Sequence, residues 1–383
     1  MSLIFRMRSP RLFVAAGLVV AAALLGCMSN ALVGLLYVSV KMGEPIALRL
    51  SSRSMGWGFV SHPYIYEVLP GMVVLTYNLA GDTVGATPPA ELKNAGPAVT
   101  TDGGANWEFG TNALWNRFGG AQLPLGCVIK TTNGIVLLSS LETKWDQHFG
   151  KVAWMRDGKL AEGPSDVVCT TTTLMYNVCV SPDGVQLPSG DLAFVGFSTV
   201  SGKFSTILFK SSDGGRTFAG SVIASIHDAP WGWEGPCEPA LALVAGGRLL
   251  CVARTGGNPL LSNPMLIMHS DDEGKTWQGK RRFYNGVRPI IRRLADGTLV
   301  CLFGRPGNSM TFSVDEGKTW GAEIAITPAS IKTSGYVDAV EVSPGRLLVA
   351  YDVYDTTMSK FWLWEPPEPI NAIFYRYVEV KRR

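Results

Sequence analysis

A short turn motif that occurs four times constrains this chain more than any other feature of its sequence. The pattern is Ser/Thr-x-Asp-x-Gly-x-Thr/Asn-aromatic, and its copies span residues 100–107, 211–218, 270–277 and 313–320. The Asp side chain can accept hydrogen bonds from the backbone of the turn, and the Gly permits the positive φ of a tight hairpin. Since the final aromatic can pack on a sheet, the motif predicts repeated β-hairpins.

The spacing of the copies indicates a repeated sheet. Successive copies begin 111, 59 and 43 residues apart. A propeller blade of four strands occupies roughly 40–60 residues, and the longest interval fits two blades, one of which lacks the turn. The sequence therefore predicts an all-β fold of propeller type.

The rest of the chain after residue 44 follows the same plan. Six short apolar runs come directly after turn signals such as Asn133-Gly134 and Asp296-Gly297, and no segment shows a sustained helical period. We predict a six-bladed β-propeller of four-stranded antiparallel blades over residues 44–383. The ring can close if the last strand, near residues 372–380, shares a blade with the segment after Glu44.

Composition argues against a nucleic-acid-binding protein, and the spacing of the histidines argues against a metal site. Charged residues make up 17% of the chain, and the net charge of +3 is spread out, so no nucleic-acid partner is expected. The four histidines lack metal-ligand spacing, so no metal site is expected either.

The N-terminal residues 1–43 are predicted to be a signal peptide or a membrane-anchor helix. Three arginines between positions 6 and 11 precede an apolar run over residues 12–26. Because the basic residues come first, the body of the protein is expected outside the cytoplasm, in the periplasm or at the cell surface.

Three fates of this segment remain open. The stretch ending in Cys27 resembles a bacterial lipobox, which would make the protein a lipoprotein lipidated at that cysteine, although Leu25 departs from the usual small residue. Residues 31–40 are apolar again, which favours an uncleaved anchor. Ordinary cleavage is the third alternative.

Six further cysteines allow disulfides in an exported protein. Cys169 and Cys179 could pair. Cys251 and Cys301 lie in apolar runs, which is typical of small buried side chains.

The repeated turn resembles the Asp-box of the sialidase (neuraminidase) superfamily, and further stretches strengthen the resemblance. A Glu that precedes a Gly-Arg-Leu-Leu strand matches Glu238, and the Arg that ends that strand matches Arg254. A family Tyr followed by an inner strand matches Tyr336, and an Arg one strand before the last Asp-box matches Arg305, with Arg288 as a weaker candidate. The resemblance implies that Glu238 polarises a Tyr336 nucleophile and that the arginines bind the sialic-acid carboxylate.

The first blade departs from the family pattern. Ser61 stands where the family has the first arginine of its carboxylate-binding triad, and Arg53 is the nearby candidate to replace it. Asp82 is the candidate acid/base residue, because it is the only Asp in the loop region where the family places one. Trp231 and Trp233, in a Gly-rich loop, are candidate substrate contacts.

Taken together, the resemblance implies an exported, retaining exo-α-sialidase that removes terminal sialic acid or a related sugar from glycoconjugates without any cofactor. Other functions remain open: a catalytically inactive carbohydrate-binding propeller, a scaffold propeller tethered to the membrane, or a hydrolase of a different glycoside. Loss of the first-blade arginine favours the inactive protein or the different glycoside. A pairing of Tyr336 with Glu238 would favour an enzyme over a binding protein or a scaffold.

Overall fold

The computed structural model describes residues 38–50, 61–78, 96–144, 147–171, 175–256, 263–355 and 370–383. Over these residues the chain is all-β, as predicted, and its strands form five sheets. Helical structure in this part of the chain is confined to one short α-helix and three 3-10 turns: α1 (Thr111–Trp115), Asn116–Phe118, Ile226–Asp228 and Ala245–Gly247.

The first four-stranded sheet is antiparallel and follows two N-terminal strands, which are β1 (Val38–Met42) and β2 (Ile46–Leu50). Its strands are β3 (Ser61–Leu69), β4 (Met72–Asn78), β5 (Ala98–Thr100) and β6 (Glu108–Phe109), paired in chain order.

A nine-stranded sheet comes next. Its strands are β7 (Cys127–Thr131), β8 (Gly134–Leu138), β9 (Glu142–Lys144), β10 (Gln147–Arg156), β11 (Lys159–Thr171), β12 (Tyr176–Gln186), β13 (Leu192–Val200), β14 (Lys203–Ser211) and β15 (Thr217–Ala224). Two antiparallel halves, one from β7 to β11 and one from β12 to β15, meet in the parallel pairs β7–β12 and β11–β15. Pairing of β10 with β11 closes eight of these strands into a ring.

Two more antiparallel sheets of four strands pair in chain order. Their strands are β16 (Cys237–Leu243), β17 (Leu249–Arg254), β18 (Pro264–Ser270) and β19 (Gln278–Asn285), then β20 (Val287–Arg293), β21 (Leu299–Gly304), β22 (Asn308–Ser313) and β23 (Ile324–Thr327).

The last sheet joins the two ends of the described chain. It contains β24 (Val337–Ser343), β25 (Arg346–Asp355) and β26 (Ile370–Arg382), and β26 also pairs with β1 and β2. The expected closure, in which the last strand shares a sheet with the segment after Glu44, is therefore confirmed. Val38–Met42 lies in this sheet rather than in the N-terminal helix predicted to extend through residue 43, because its side chains pack against the neighbouring sheet core.

Residues 1–37, including Cys27, lie outside the described residues. Within the described chain, none of the helices has the length and apolar character needed to span a bilayer. Cys169 forms no disulfide, so it is not linked to Cys179, and Cys251 and Cys301 are fully buried as expected.

Strands β3, β7, β12, β16, β20 and β24 surround a central cavity of about 360 Å³. Each contacts the next around the ring, and apolar clusters fill the spaces between successive sheets. The number of six blades remains a prediction, because the five strands β7 to β11 and the four strands β12 to β15 form one continuous sheet.

The four turns have the hydrogen bonds that the motif predicts. In the third copy, Asp272 Oδ1 accepts the backbone N–H of Thr276 at 2.8 Å, and Gly274 has φ +85°. Trp277 closes the turn by donating its indole N–H to the Gly274 carbonyl at 3.2 Å. The Ser270 hydroxyl also accepts the Gly274 N–H at 2.8 Å, which explains the Ser/Thr at the first position.

Candidate active site

Three strands begin with the same local conformation at one end of the central cavity. The second residue of β3, β16 and β20 has positive φ, precedes a proline and is buried, and the strand pairing shifts register just after it. These residues are His62 (φ 53°), Glu238 (φ 45°) and Arg288 (φ 50°). For residues other than glycine this conformation costs about 1–2 kcal/mol. Their side chains meet at one point in the fold.

That point is the ring of Tyr336, which directly precedes β24. The Tyr336 hydroxyl donates a hydrogen bond to Glu238 Oε1 at 2.5 Å. The His62 ring packs edge-on against Tyr336 with centroids 4.2 Å apart, and the Arg288 guanidinium carbon lies 5.5 Å from its ring centroid. Tyr64 adds a second edge contact at 6.4 Å. The tyrosine is thus held by residues from three strands.

The pKa shifts of the central pair keep the proton on the phenol rather than on the carboxylate in the resting site. Burial and the neighbouring Glu238 charge raise the pKa of Tyr336 well above its usual value. Burial alone would raise the pKa of Glu238, but Arg254, the Tyr336 hydrogen bond, Arg288 and Arg305 together lower it. Glu238 is therefore an anion facing a neutral phenol at neutral pH.

Arg254 joins two carboxylates. As the last residue of β17, it directs Nη1 to both Glu238 oxygens at 3.2 Å and Nη2 to Glu234 at 3.0 Å. The three side chains are largely buried, with 9–13% of each exposed. This arrangement fixes the general-base candidate Glu238 and brings a second carboxyl group, Glu234, into the site.

Arg305 lies on the same side of the cluster. It has φ +62°, is buried, and donates its Nε–H to the Ser334 carbonyl at 2.9 Å, two residues before Tyr336. Arg254, Arg288 and Arg305 all act on the pKa of Glu238. The structure thus brings three guanidinium groups to this carboxylate, and one of them is Arg288, the weaker sequence candidate.

His62 and its partners fill the first-blade position at which the arginine is missing. Ser61 Oγ lies 2.6 Å from His62 Nδ1, and the His62 N–H donates to Asp352 Oδ2 at 2.9 Å. Asp352 also accepts the Ser334 N–H at 2.8 Å, so one buried carboxylate links β3 to the segment that carries Tyr336. Ser61 itself is fully buried.

Comparison with known proteins agrees with the fold. Residues 165–365, just over half of the chain, match the family model described as a BNR repeat-like domain. The chain belongs to this family. Its predicted membership of the sialidase superfamily is thereby confirmed. No curated protein matches it in sequence.

Solved structures of this superfamily and of arabinan-cleaving enzymes share the fold at low identity. The Hadza microbial sialidase Hz136 is 14% identical with a TM-score of 0.51, over 84% of this chain and 65% of its own. The K499G mutant of the NanB sialidase from Streptococcus pneumoniae is 13% identical with a TM-score of 0.51, over 88% and 71%. An α-L-arabinanase of Penicillium chrysogenum is 14% identical with a TM-score of 0.51, over 87% and 98%. The chain therefore spans about two thirds of the first of these sialidases.

The two loop tryptophans of this BNR-family chain have different surroundings. Trp231 donates its indole N–H to the Pro264 carbonyl at 2.8 Å and packs against a core cluster. Trp233 is 59% exposed, and its backbone carbonyl accepts Lys203 Nζ at 2.8 Å. Trp233 is thus the one of the pair that is open to a ligand, while Trp231 anchors the loop. The other candidates, Arg53 and Asp82, lie outside the described residues.

Sequence reasoning missed His62 and Glu234 and ranked Arg288 too low. The sequence did contain a signal for His62 and Arg288. Each strand that contributes a side chain to Tyr336 begins with a buried residue followed by proline: His62-Pro63, Glu238-Pro239 and Arg288-Pro289. A proline restricts the residue before it, so the repeated pair marks a shared backbone feature. Glu234 had no comparable signal beyond its place between two tryptophans.

Proposed function

We propose that this protein is a sialidase-like, retaining glycoside hydrolase with Tyr336 as nucleophile and Glu238 as its base. The observation that carries the proposal is the 2.5 Å hydrogen bond between the Tyr336 hydroxyl and Glu238 Oε1, inside a cluster of three arginines. A carbohydrate-binding propeller or a scaffold has no need of a half-buried phenol aligned on a carboxylate.

The chemistry divides into two displacements. In the first, Tyr336 attacks the anomeric carbon while its proton passes to Glu238, and the leaving oxygen takes a proton from a general acid. In the second, water attacks the glycosyl-tyrosine and the proton returns from Glu238 to the phenol. Two displacements give net retention of configuration.

The arginines favour an anionic sugar as substrate. Arg254, Arg288 and Arg305 carry one positive charge more than Glu234 and Glu238 could balance even if both carboxyl groups were ionised. Guanidinium groups suit a planar carboxylate because they can bind it through two parallel hydrogen bonds. We therefore propose a terminal α-sialic acid or a related acidic sugar, with Arg288 in the role that the sequence had left to Arg53.

A second candidate substrate is a neutral α-glycoside such as an arabinan. Two observations favour it: Ser61 stands in place of the first-blade arginine, and the chain covers 98% of the Penicillium arabinanase, whose structure contains arabinobiose. In this case the arginines would position Glu238 and Tyr336 rather than bind a substrate carboxylate.

The test is turnover by the full-length protein of two fluorogenic glycosides, an α-sialoside and an α-L-arabinofuranoside. Tyr336→Phe should lose at least 100-fold in kcat with the better substrate, because the nucleophile is gone. Tyr377→Phe is the matched control, because it also deletes a hydroxyl that donates a hydrogen bond, but this one lies in the closing sheet and donates to the Gly103 carbonyl at 3.0 Å. Full activity in Tyr336→Phe would rule out the proposed mechanism, and absence of turnover in the parent would favour a binding protein.

The ring that holds this site is proposed to have six blades, and the protein is proposed to act outside the cytoplasm. The six mutually contacting strands around the central cavity support the first statement. The order of basic and apolar residues within positions 1–43 supports the second.

A further inference from the structure

Two carboxyl groups share a single guanidinium at the centre of the site. Arg254 gives Nη1 to Glu238 and Nη2 to Glu234, so one positive charge faces two potential negative charges at hydrogen-bond distance. Like charges so close disfavour ionisation of both groups, and the group with less compensation retains its proton. Glu238 has the additional Tyr336 hydrogen bond, so Glu234 is the more readily protonated of the two carboxyl groups.

The backbone holds Glu234 firmly in this position. Its carbonyl accepts the Phe204 N–H at 2.9 Å, and its own N–H donates to the Thr255 carbonyl at 3.3 Å. The next residue, Gly235, has φ +88°, and a Cβ there would lie 2.2 Å from the Phe204 carbonyl oxygen. The preceding residue, Trp233, is 59% exposed, so this fixed loop connects the buried cluster with the surface.

We propose that Glu234 is the general acid that protonates the leaving glycosidic oxygen. The proposal rests on the proposed function, because it needs Tyr336 as nucleophile. The Glu234 carboxyl proton passes to the glycosidic oxygen as its bond to the anomeric carbon breaks and the bond from Tyr336 Oη forms. The resulting Glu234 carboxylate then takes a proton from the water that attacks the glycosyl-tyrosine, which restores the acid.

Electrostatics supports the same assignment. Burial raises the pKa of Glu234 although Arg254 opposes the shift, whereas the pKa of Glu238 is lowered. Two carboxyl groups whose surroundings move their pKa values in opposite directions are suited to separate acid and base roles. A general acid works best when its pKa approaches the working pH.

The experiment compares leaving groups in full-length Glu234→Gln. Two substrates carry the same sugar, the better one from the turnover test, on either a good aryl leaving group or a second sugar. Only the second sugar needs protonation to depart. The variant should lose about 10²–10⁴-fold in kcat/KM on the sugar leaving group and less than about 10-fold on the aryl one. Its pH–rate profile should also lose the fall in rate at high pH that the acid causes.

Several controls separate the outcomes. Gln keeps the size of Glu and still accepts a hydrogen bond from Arg254, and thermal unfolding checks the fold. Glu162→Gln, at an exposed ion pair with Arg216, should leave turnover of both substrates unaffected.

An equal loss on both substrates would make Glu234 a structural residue, and no loss on either would transfer the role to Asp82. In both cases parent activity abolished by Tyr336→Phe would leave the hydrolase function standing, whereas an inactive parent would overturn both proposals.

Discussion

Tyr336 can act as a nucleophile only while its hydroxyl remains aligned on Glu238, and three strands contribute to that alignment. His62, Glu238 and Arg288 each accept an unfavourable positive φ at the start of a strand to reach the same ring. Backbone strain of this kind persists where the surrounding structure holds it, and it concentrates at functional sites. Three strained residues around one tyrosine therefore support a functional role for Tyr336. This argument does not depend on the resemblance to a protein family.

His62 gives a prediction at this scale. His62→Asn should lower kcat about 10–100-fold, because Asn tolerates positive φ but removes the ring that packs 4.2 Å from Tyr336, and small displacements of a reacting group are costly. Steady-state kinetics on the substrate of the parent measures the effect. His227→Asn, at an exposed 3-10 turn, is the control. An unchanged kcat in His62→Asn would show that Glu238 and Arg288 suffice to position the phenol.

Part of this site could be predicted from the sequence and part could not. Glu238, Arg254 and Tyr336 come together as the motifs predicted, because each lies at a fixed distance from a recognisable strand. The contribution of His62 depends on its positive φ, which departs from ordinary strand geometry at this one residue. The alternation of side chains along a strand does not reveal a change of φ at one residue, so His62 looked like an ordinary residue of β3.

At the scale of the element, the Asp-box turns connect neighbouring sheets. A Cβ on Gly274 would lie 2.3 Å from a Leu208 methyl group of the preceding sheet, and one on Gly317 would lie 2.7 Å from Leu250. Glu273 accepts the Ser189 N–H at 2.8 Å across the same boundary. The motif is therefore both a hairpin turn and a contact between sheets. The sequence showed the first role from its residue types, but the second depends on which sheets become neighbours.

The Asp-box carboxylates predict a sensitivity to acid. Hydrogen bonds from the Thr276 hydroxyl and N–H lower the pKa of Asp272 to about 2, and those from Asn106 do the same for Asp102. The folded chain thus holds fewer protons than the unfolded chain below about pH 4. The stabilisation is complete above about pH 4 and is lost as the pH falls through about 2.

Asp272→Asn should therefore unfold at lower temperature than the parent at pH 7, and the difference should shrink as the pH falls toward 2. Circular dichroism melts across this range measure it. Asp157→Asn, in an exposed turn with φ 49°, is the control and should follow the parent at every pH. A constant difference between parent and Asp272→Asn at all pH values would contradict the electrostatic explanation.

At the scale of the whole molecule, the candidate active site depends on the ring holding its strands in register. Arg292 of β20 binds Asp183 of β12 and Asp338 of β24, and Asp338 also accepts the Ile65 N–H of β3 at 3.2 Å. Burial raises the pKa of Asp338 to about 6 although Arg292 opposes the shift. This ion cluster crosses the central axis and links four of the strands around it.

The short strand β1, which the sequence had assigned to an N-terminal helix, pairs with β26 in the sheet that closes the ring. Val38 is buried in the core between the last two sheets, opposite Arg382 in the β1–β26 register. Val38→Asp would place a charge in that core, with only the exposed Arg382 opposite it, and should destabilise the fold by on the order of 3 kcal/mol. Lys41→Gln, on the exposed part of the same strand, should change stability by less than about 0.5 kcal/mol.

Denaturant unfolding of the two variants beside the parent measures both effects. Equal stability of Val38→Asp and the parent would mean that β1 is dispensable for closure and that β2 and β26 alone join the ends of the ring, whereas a selective loss would place the start of the folded domain at or before Val38.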